Sequence, residues 1–348
     1  MNYFEVLKTN TETGFWINNP TDAECEIAMQ NHAQSCTTNP AYCAKLLTSE
    51  KDYIYQVIDE VIEKGGTDDS AQAYEVYKTC VERLLKVFEP IYKASNGQCG
   101  FVTIQDDPRI DEDAELVIEH ILENRELGEN VMAKIPVIQG GIDAIEACVK
   151  YNIPICATEV FAIAQMVCIC ERYQAACEQY DNHPPIYVTH ISGIFDEYLG
   201  MIVNKRGIDI APEVLKQAGI AIARKQYKLM KERGYKAILL GGGARDTHHF
   251  TDLVGGDAHI TINWSTAQTI LESGMQVENA IGEQTDDAVI EQLRDKIEEF
   301  KCAYDDNGLT VDEFAGFGPV QLFRNAFLKG WYELLAAVAA RRHDNAIS

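Results

Sequence analysis

Short apolar segments alternate with longer amphipathic stretches along most of the chain. The short segments have five to seven residues and end in polar or turn-forming residues, a pattern typical of strands buried on both faces. The stretches between them carry apolar residues at helical spacing and predict α-helices. The predicted strands are residues 14–20, 35–40, 100–105, 130–136, 155–161, 186–191, 236–240 and 258–263.

The alternation of these elements indicates the α/β class. Eight strands separated by helices predict a parallel sheet, and their number favours a closed (β/α)8 TIM barrel. We expect residues 1–348 to form a single barrel domain. A long helix at about 212–233 should precede strand 7.

Two groups of helices exceed what a barrel needs. The first is an insertion after strand 2, at about 41–94, broken near Gly65 and Gly66. The second comprises helices at about 280–306 and 317–342, in the C-terminal region 280–342. The last helix carries an aromatic stripe at helical spacing, namely Phe323, Phe327 and Trp331 with Leu335, which favours packing or subunit contact over a ligand site. We therefore expect a homo-oligomer, if one forms, to use these C-terminal helices.

One lysine interrupts an apolar strand. Strand alternation places Met132, Lys134 and Pro136 on one face of the segment 130–136. A buried ammonium is costly, so the lysine must pair with an acid, reach water or lose its proton. Only a deprotonated amine attacks a carbonyl to form a Schiff base, whose iminium accepts electrons when a carbon–carbon bond breaks.

Polar residues recur at the predicted strand ends. The C-terminal ends of the strands build the active sites of such barrels, so this convergence makes a catalytic role of the lysine more plausible. These residues are Asn18, Thr38, Asn39, Gln105, Lys134, Thr158, Glu159, Thr189, His190 and Arg245.

Composition, charge and cysteine content argue against several kinds of partner. With 46% hydrophobic and 24% charged residues the chain is globular, and its formal charge of −24 argues against nucleic acid as a partner. Eleven scattered cysteines suit reduced thiols in a cytoplasm. No signal segment and no apolar run of membrane-spanning length is visible, so we expect a cytoplasmic protein without a membrane partner. Neither Cys168–Cys170 nor His248–His249 forms a complete ligand set, and no metal is expected.

Three stretches resemble the transaldolase family, and the resemblance extends over most of the barrel, from Gly14 to about Gly274. They are Cys-Thr-Thr-Asn-Pro at 36–40, Asn-Val-Met-Ala-Lys-Ile-Pro at 130–136 with Gly-Ile-Asp-Ala-Ile-Glu at 141–146, and Ala-Thr-Glu-Val-Phe-Ala-Ile-Ala-Gln at 157–165. The resemblance implies a class I aldol mechanism without a cofactor. Lys134 then matches the Schiff-base lysine and Thr158 the threonine that holds the catalytic water. Thr38 and Asn39 match substrate-positioning residues, and Thr189 a small inward residue.

Two departures affect proton transfer. Asn18 stands where the family usually has an acid/base aspartate, and Gln105 replaces the usual strand 3 glutamate. An amide cannot take up a proton at neutral pH, although it hydrogen-bonds hydroxyl groups. A glutamine at this place resembles the fructose-6-phosphate aldolase branch, in which glutamine and threonine hold a water molecule.

The candidates for a substitute acid or base are Glu159, His190, Asp106 and Asp107. Alternation from an inward Thr158 favours an outward Glu159, paired with a helix Lys or Arg. His190 follows an inward Thr189, so a packing role and a catalytic role remain open for it.

The resemblance also implies an anion-binding end. Sugar-phosphate members use one arginine after strand 6 and one after strand 7, and here Ile194 replaces the first while Arg245 keeps the second. The glycines before it, including Gly242 and Gly243, offer backbone N–H groups to an anion. Phosphate, sulfonate, carboxylate or a neutral ketose all remain open.

We therefore predict a Schiff-base aldolase or transaldolase that acts on a ketose. The choice between transfer and hydrolysis of the dihydroxyacetone unit remains open. The alternative is a barrel of the same family that binds a sugar without turnover, with the two amides marking lost proton transfer.

Overall fold

The computed structural model describes the backbone of residues 1–347 and the side chains of residues 1–343. Eight parallel strands form one closed barrel in the order β1 to β8, which confirms the predicted (β/α)8 fold. The strands are β1 Gly14–Asn18, β2 Ser35–Thr37, β3 Val102–Gln105, β4 Val131–Pro136, β5 Ile155–Val160, β6 Ile186–Ile191, β7 Ile238–Gly242 and β8 His259–Ile262.

Side-chain alternation sorts the strand residues as expected. Met132 packs inside the barrel with Trp16, Phe101, Cys156, Tyr187 and Leu240. Val131, Ala133 and Ile135 belong to the larger core between strands and helices. Lys134 therefore lies on the inner face, because it shares the parity of Met132.

Helices cover the barrel and its ends. They are α1 Tyr3–Asn10, α2 Asp22–Gln30, α3 Tyr42–Ser49, α4 Lys51–Glu63, α5 Asp69–Ala94, α6 Ala114–Arg125, α7 Gln139–Lys150, α8 Ile163–Tyr180, α9 Ser192–Arg206, α10 Pro212–Leu215, α11 Ala218–Glu232, α12 His248–Thr251, α13 Trp264–Ser273, α14 Asp287–Lys296, α15 Glu298–Tyr304, α16 Val311–Phe314 and α17 Gly318–Ile347.

Several helices differ from the expectation. The insertion at 41–94 contains three helices, and the single helix expected at 212–233 is two, α10 and α11. Helix α9 was not predicted, because β6 runs directly into it at Ile191 without a side-chain cap. Helix α1 was also missed, although Asn2 and Glu5 form a capping box at its start.

Helix α17 packs across the barrel of its own chain. It contacts α3, α4, α5, α9 and β5, and Phe327, Trp331, Leu334 and Val338 are buried. The aromatic stripe therefore packs within its own chain, and two of its residues, Phe323 and Phe327, also line a cavity at the C-terminal ends of the strands, against the expectation. An oligomer contact through the stripe stays a prediction. No helix within residues 1–347 combines the length and apolarity that a membrane crossing needs.

Candidate active site

A cavity of about 450 Å³ opens at the C-terminal ends of the strands. Among the residues predicted from the sequence, it is lined by Asn18, Asn39, Lys134, Thr158, Thr189, Gly242, Gly243 and Arg245. Thr38, Gln105, Glu159 and His190 do not line it. Most of the scattered polar strand ends therefore meet in one place, as expected for this fold.

Lys134 lies in the wall of this cavity and is only 7% exposed. Its Nζ donates to the carbonyl oxygen of Thr38 at 3.0 Å and lies 5.7 Å from the ring centre of Phe327. Within the described side chains, no carboxylate oxygen forms a salt bridge with this nitrogen. Burial lowers the pKa of Lys134, because the loss of hydration of the charged form outweighs the weaker attraction of Cys156 and Glu159.

Thr37, rather than Thr38, presents the strand 2 hydroxyl to the cavity. Thr38 Oγ1 lies 2.9 Å from the Tyr77 hydroxyl and donates to the carbonyl oxygen of Thr103 at 2.6 Å. The expected contact of the Thr38 side chain with substrate is corrected accordingly. Because Cys36 belongs to the outer core, alternation within β2 would have indicated an inward Thr37.

Asn18 belongs to a neutral hydrogen-bond network at the ends of β1, β2 and β8. Its Oδ1 accepts from Thr37 Oγ1 at 2.9 Å, and its Nδ2 donates to Asn263 Oδ1 at 2.9 Å. Thr37 Oγ1 also lies 2.6 Å from Thr261 Oγ1. All four residues line the cavity, and Asn39 extends the same surface. This wall can bind sugar hydroxyls but offers no proton acceptor at the end of β1.

Thr158 and Gln105 flank Lys134 on the two neighbouring strands. Gln105 pairs with Lys134 in the β3–β4 ladder, and Thr158 pairs with Pro136 in the β4–β5 ladder. Thr158 Oγ1 is buried without a hydrogen-bond partner among the described residues, and the same holds for Gln105 Oε1. The Gln105 side chain does not line the cavity, and its Nε2 donates to Glu159 Oε1 at 3.1 Å.

Glu159 departs from the expected placement. A register shift between Ala157 and Val160 marks a bulge, and Glu159 has the positive φ of 59°. Its side chain is 1% exposed and forms no salt bridge among the described side chains, so the expected pairing with a helix Lys or Arg is wrong. Burial, with a smaller effect of Asp111, raises the pKa of Glu159 to about 8.

His190 lies outside the barrel interior. Its ring is fully buried, Nε2 lies 2.9 Å from the carbonyl oxygen of Gly219, and burial lowers its pKa to about 4. The sequence left a packing role and a catalytic role open for His190, and this position supports the packing role.

The far end of the cavity is formed by the turn after β7. Gly243 has φ +65°, and a Cβ there would lie 2.4 Å from Ile191 Cγ2, so glycine is required on both counts. Arg245 follows, half-exposed, and its Nε donates to Glu197 Oε2 at 2.8 Å. Lys45 also lines the cavity, paired with Glu24. Lys45 was not predicted, because the helical insertion gave no sign that α3 reaches the barrel mouth.

A His–Asp group stands behind this turn. Asp196, His248 and His249 bring one carboxylate oxygen and two ring nitrogens within 4.8 Å of one another. His249 Nδ1 accepts the backbone N–H groups of Arg245 and Asp246 at 3.3 and 3.1 Å, and Nε2 lies 2.9 Å from Asp196. The ring proton therefore belongs on Nε2. If Nε2 bound a metal, the ring proton would have to sit on Nδ1, where it would face the N–H groups of Arg245 and Asp246. The arrangement therefore fits a hydrogen-bonded His–Asp pair that supports the turn.

The fold and the site define a parallel (β/α)8 barrel with a buried lysine in a polar cavity. Residues 18–312 match the family described as Transaldolase/Fructose-6-phosphate aldolase. The chain belongs to this family.

Individual relatives are distant. A transaldolase of Mycobacterium ulcerans (strain Agy99) is 25% identical over 291 residues, 75% of this chain and 77% of that protein. A transaldolase of Arthrobacter sp. (strain FB24) is 25% identical over 215 residues, and the match spans only 57% of its length. Transaldolase 1 of Streptomyces avermitilis is 26% identical over 220 residues, 60% of this chain and 56% of its own.

Proposed function

We propose that the protein is a class I aldolase or transaldolase that binds a ketose as a Schiff base on Lys134. The observation that carries this proposal is a buried amine in a polar cavity, without a carboxylate partner among the described side chains and with a lowered pKa. Such a lysine is a nucleophile at a pH where an exposed one is protonated.

The chemistry follows from the free amine. Nζ adds to the ketose carbonyl, and the carbinolamine loses water to give an iminium. The bond between the carbon next to the iminium and the following carbinol carbon then breaks, and its electron pair moves into the iminium to give an enamine. The carbinol hydroxyl passes its proton to water and the fragment leaves as an aldehyde, so the reaction requires no cofactor. Thr158 lines the cavity and its buried hydroxyl has no partner among the described residues, so it is proposed to hold the water molecule for proton transfer, together with Gln105, the neighbour of Lys134 on β3.

The cavity wall suits a polyhydroxylated substrate with an anion at one end. Asn18, Asn39, Thr37 and Thr189 are proposed to orient hydroxyl groups. Gly242, Gly243 and Arg245 are proposed to receive the terminal anion, because backbone N–H groups and a guanidinium bind phosphate or carboxylate oxygens.

The relatives are named transaldolases, and we extend transfer of a dihydroxyacetone unit to this chain as one arm of the proposal. Hydrolysis of the same intermediate is the other arm. A cytoplasmic location belongs to the proposal, supported by eleven free cysteines, most of them buried.

A catalytically altered barrel that binds sugar without turnover is the second candidate. It is favoured by one observation, the neutral network that holds Asn18 where the family usually has an aspartate. This binding protein would still have a cavity for hydroxyl groups but would not complete the bond cleavage.

Borohydride trapping tests the proposal. The protein is incubated with dihydroxyacetone or fructose 6-phosphate, reduced, and analysed by intact mass and peptide mapping. We expect one adduct at Lys134, absent in Lys134→Met. Lys78→Met is the matched control, because Lys78 is equally buried but paired with Glu75 and Glu123. Absence of an adduct from a broad panel of ketoses would reject the Schiff-base function in favour of binding alone.

A further inference from the structure

The hydrogen bond between Gln105 and Glu159 joins the strands on either side of β4. Gln105 ends β3, Glu159 lies near the end of β5, and Lys134 belongs to the strand between them. The bond is 3.1 Å long and fully buried. The pair therefore brackets the lysine from both neighbouring strands.

Backbone strain holds this arrangement. Glu159 adopts the left-handed backbone conformation, with φ 59°, which residues other than glycine, asparagine and aspartate rarely adopt. Without the bulge, alternation would turn Glu159 away from Gln105. A strained backbone conformation persists only where the surrounding contacts fix it, and such residues cluster at active sites.

Each partner keeps one polar atom without a protein partner. Gln105 Oε1 and Glu159 Oε2 are buried and make no hydrogen bond to any described residue. Thr158 Oγ1, in the residue before Glu159, is also buried without a partner among the described residues. Three such atoms around one lysine contrast with the general rule that buried polar groups are satisfied. Thr158 lines the cavity, whereas Gln105 and Glu159 do not, so the partner that we expect for the two oxygens of the pair is a water molecule next to the lysine.

Hydrogen-bond chemistry gives the pair two states. An ionised Glu159 is only an acceptor, so Gln105 must offer Nε2–H to it and leaves Oε1 as a free acceptor. A protonated Glu159 can donate to Oε1 after the amide rotates, which leaves Nε2–H as a free donor instead. The proton exchanges with solvent, and no covalent bond to carbon is involved.

We propose that Glu159 is a positioning residue of the Schiff-base site, which acts through Gln105 by deciding whether an acceptor or a donor faces the lysine. This inference rests on the proposed function of Lys134. The acceptor state is the active one, because an oxygen that accepts from a water or substrate hydroxyl helps to orient it for removal of a proton from carbon.

Charged groups around Glu159 come from three elements. Asp111 faces it from the loop after β3, Lys134 from β4 and Arg324 from α17. Arg324 is held by Asp111 at 2.7 Å and by Glu112 at 3.2 Å. From α8, Gln165 donates to the backbone oxygen of Glu159 and brings no charge. The pKa of about 8 places the change of state near neutral pH.

Exchange of the hydroxymethyl protons of dihydroxyacetone with D₂O, followed by NMR, tests the inference. This exchange requires the iminium and the loss of a carbon-bound proton, but no acceptor sugar. At each pH the rate is divided by the fraction of Lys134 trapped with borohydride, which removes the titration of the lysine. We expect the normalised rate to rise several-fold through about pH 8 in the unmodified protein and to lose this inflection in Glu159→Gln, which cannot ionise.

Two further variants guard against misfolding. Glu159→Asn suits the left-handed backbone and removes the reach to Gln105, and we expect its normalised rate to be about ten-fold lower across the pH range. The double change Gln105→Glu with Glu159→Gln keeps one carboxyl and one amide, and should restore an inflection. Normal adducts at Lys134 with an unaltered pH profile in Glu159→Gln would overturn the role of Glu159 alone. Absence of the adduct in the unmodified protein would overturn the proposed function itself.

Discussion

Lys134 Nζ donates to the carbonyl oxygen of Thr38 across the barrel mouth, at 3.0 Å. The carbonyl belongs to the segment after β2, whose side chain at 38 is itself fixed by Tyr77 and Thr103. A neutral acceptor holds the amine in place without stabilising its charged form as a carboxylate would. The lysine is therefore positioned and desolvated at once, which is what a nucleophilic amine requires.

We expect the Phe327 ring to limit the access of water to this amine. The ring is 2% exposed, lines the cavity and lies 5.7 Å from Nζ. We expect Phe327→Ala to admit water, raise the pKa of Lys134 and move the trapping profile to higher pH, so that trapping near neutral pH falls several-fold. Val338→Ala, on the same helix but outside the cavity, should leave the profile unchanged. An unmoved profile in Phe327→Ala would show that other groups set the desolvation.

Asn18→Asp tests whether the amide at the end of β1 limits bond cleavage. A carboxylate there still accepts from Thr37, and Asn263 can turn its amide to donate. General acid–base catalysis contributes at least about 100-fold where the geometry is right. We expect cleavage of fructose 6-phosphate to rise by about ten-fold or more while adduct formation at Lys134 changes little, measured by release of the three-carbon aldehyde.

The control for this change is Asn263→Asp, which adds the same charge to the same wall but not at the end of β1. Equal gains in both variants would point to a general effect of charge. No gain in Asn18→Asp would show that proton transfer already proceeds by another group.

The barrel and most of its cavity follow from the sequence because they depend on short-range patterns. Apolar strands of regular length, alternation within β4 and polar strand ends were sufficient to bring Asn18, Lys134 and Thr158 together. The position of Glu159 was not predictable in this way. Its bulge uses positive φ at a residue type that gives no signal for it, unlike glycine or asparagine.

The sequence also failed to predict the cavity-lining residues that come from helices outside the predicted strand ends. Phe323 and Phe327 line the cavity from α17, and Lys45 reaches it from α3. Their helical spacing predicts a buried face but does not say which surface that face meets. The placement depends on how α17 packs against α3 and α9, which only tertiary structure reveals.

His190 should affect stability in acid but not the Schiff base. Its pKa is lowered to about 4 from the ordinary 6.5, so the folded state binds fewer protons than the unfolded state between these values. The stabilisation of the folded state by neutral His190 is therefore fully present above about pH 6.5. It is lost as the pH falls towards 4, which lowers the free energy of unfolding by roughly 3 kcal/mol in total. We expect His190→Gln, which can still donate to Gly219, to have a free energy of unfolding that depends less steeply on pH in this range.

Chemical denaturation at several pH values measures this dependence, and borohydride trapping of the same variant is its control. A His190→Gln protein that keeps its adduct at Lys134 would agree with a packing residue. Loss of D₂O exchange in dihydroxyacetone, with the fold intact, would instead give His190 a catalytic part and contradict its place outside the barrel interior.

Glu197 is expected to restrain the anion-binding end of the site. It accepts from Arg245 Nε at 2.8 Å while both side chains remain about half-exposed, so the pair is weak and a substrate anion can compete for the guanidinium. Glu197→Gln removes the competing charge and should lower KM for fructose 6-phosphate several-fold. Arg245→Ala should raise the KM by about ten-fold or more, because a charge-assisted hydrogen bond is lost.

Dihydroxyacetone, which carries no anion, is the matched control substrate, and its trapping should be unchanged in both variants. Parallel changes for the two substrates would place the anion elsewhere, with Lys45, which also lines the cavity, as the next residue to replace.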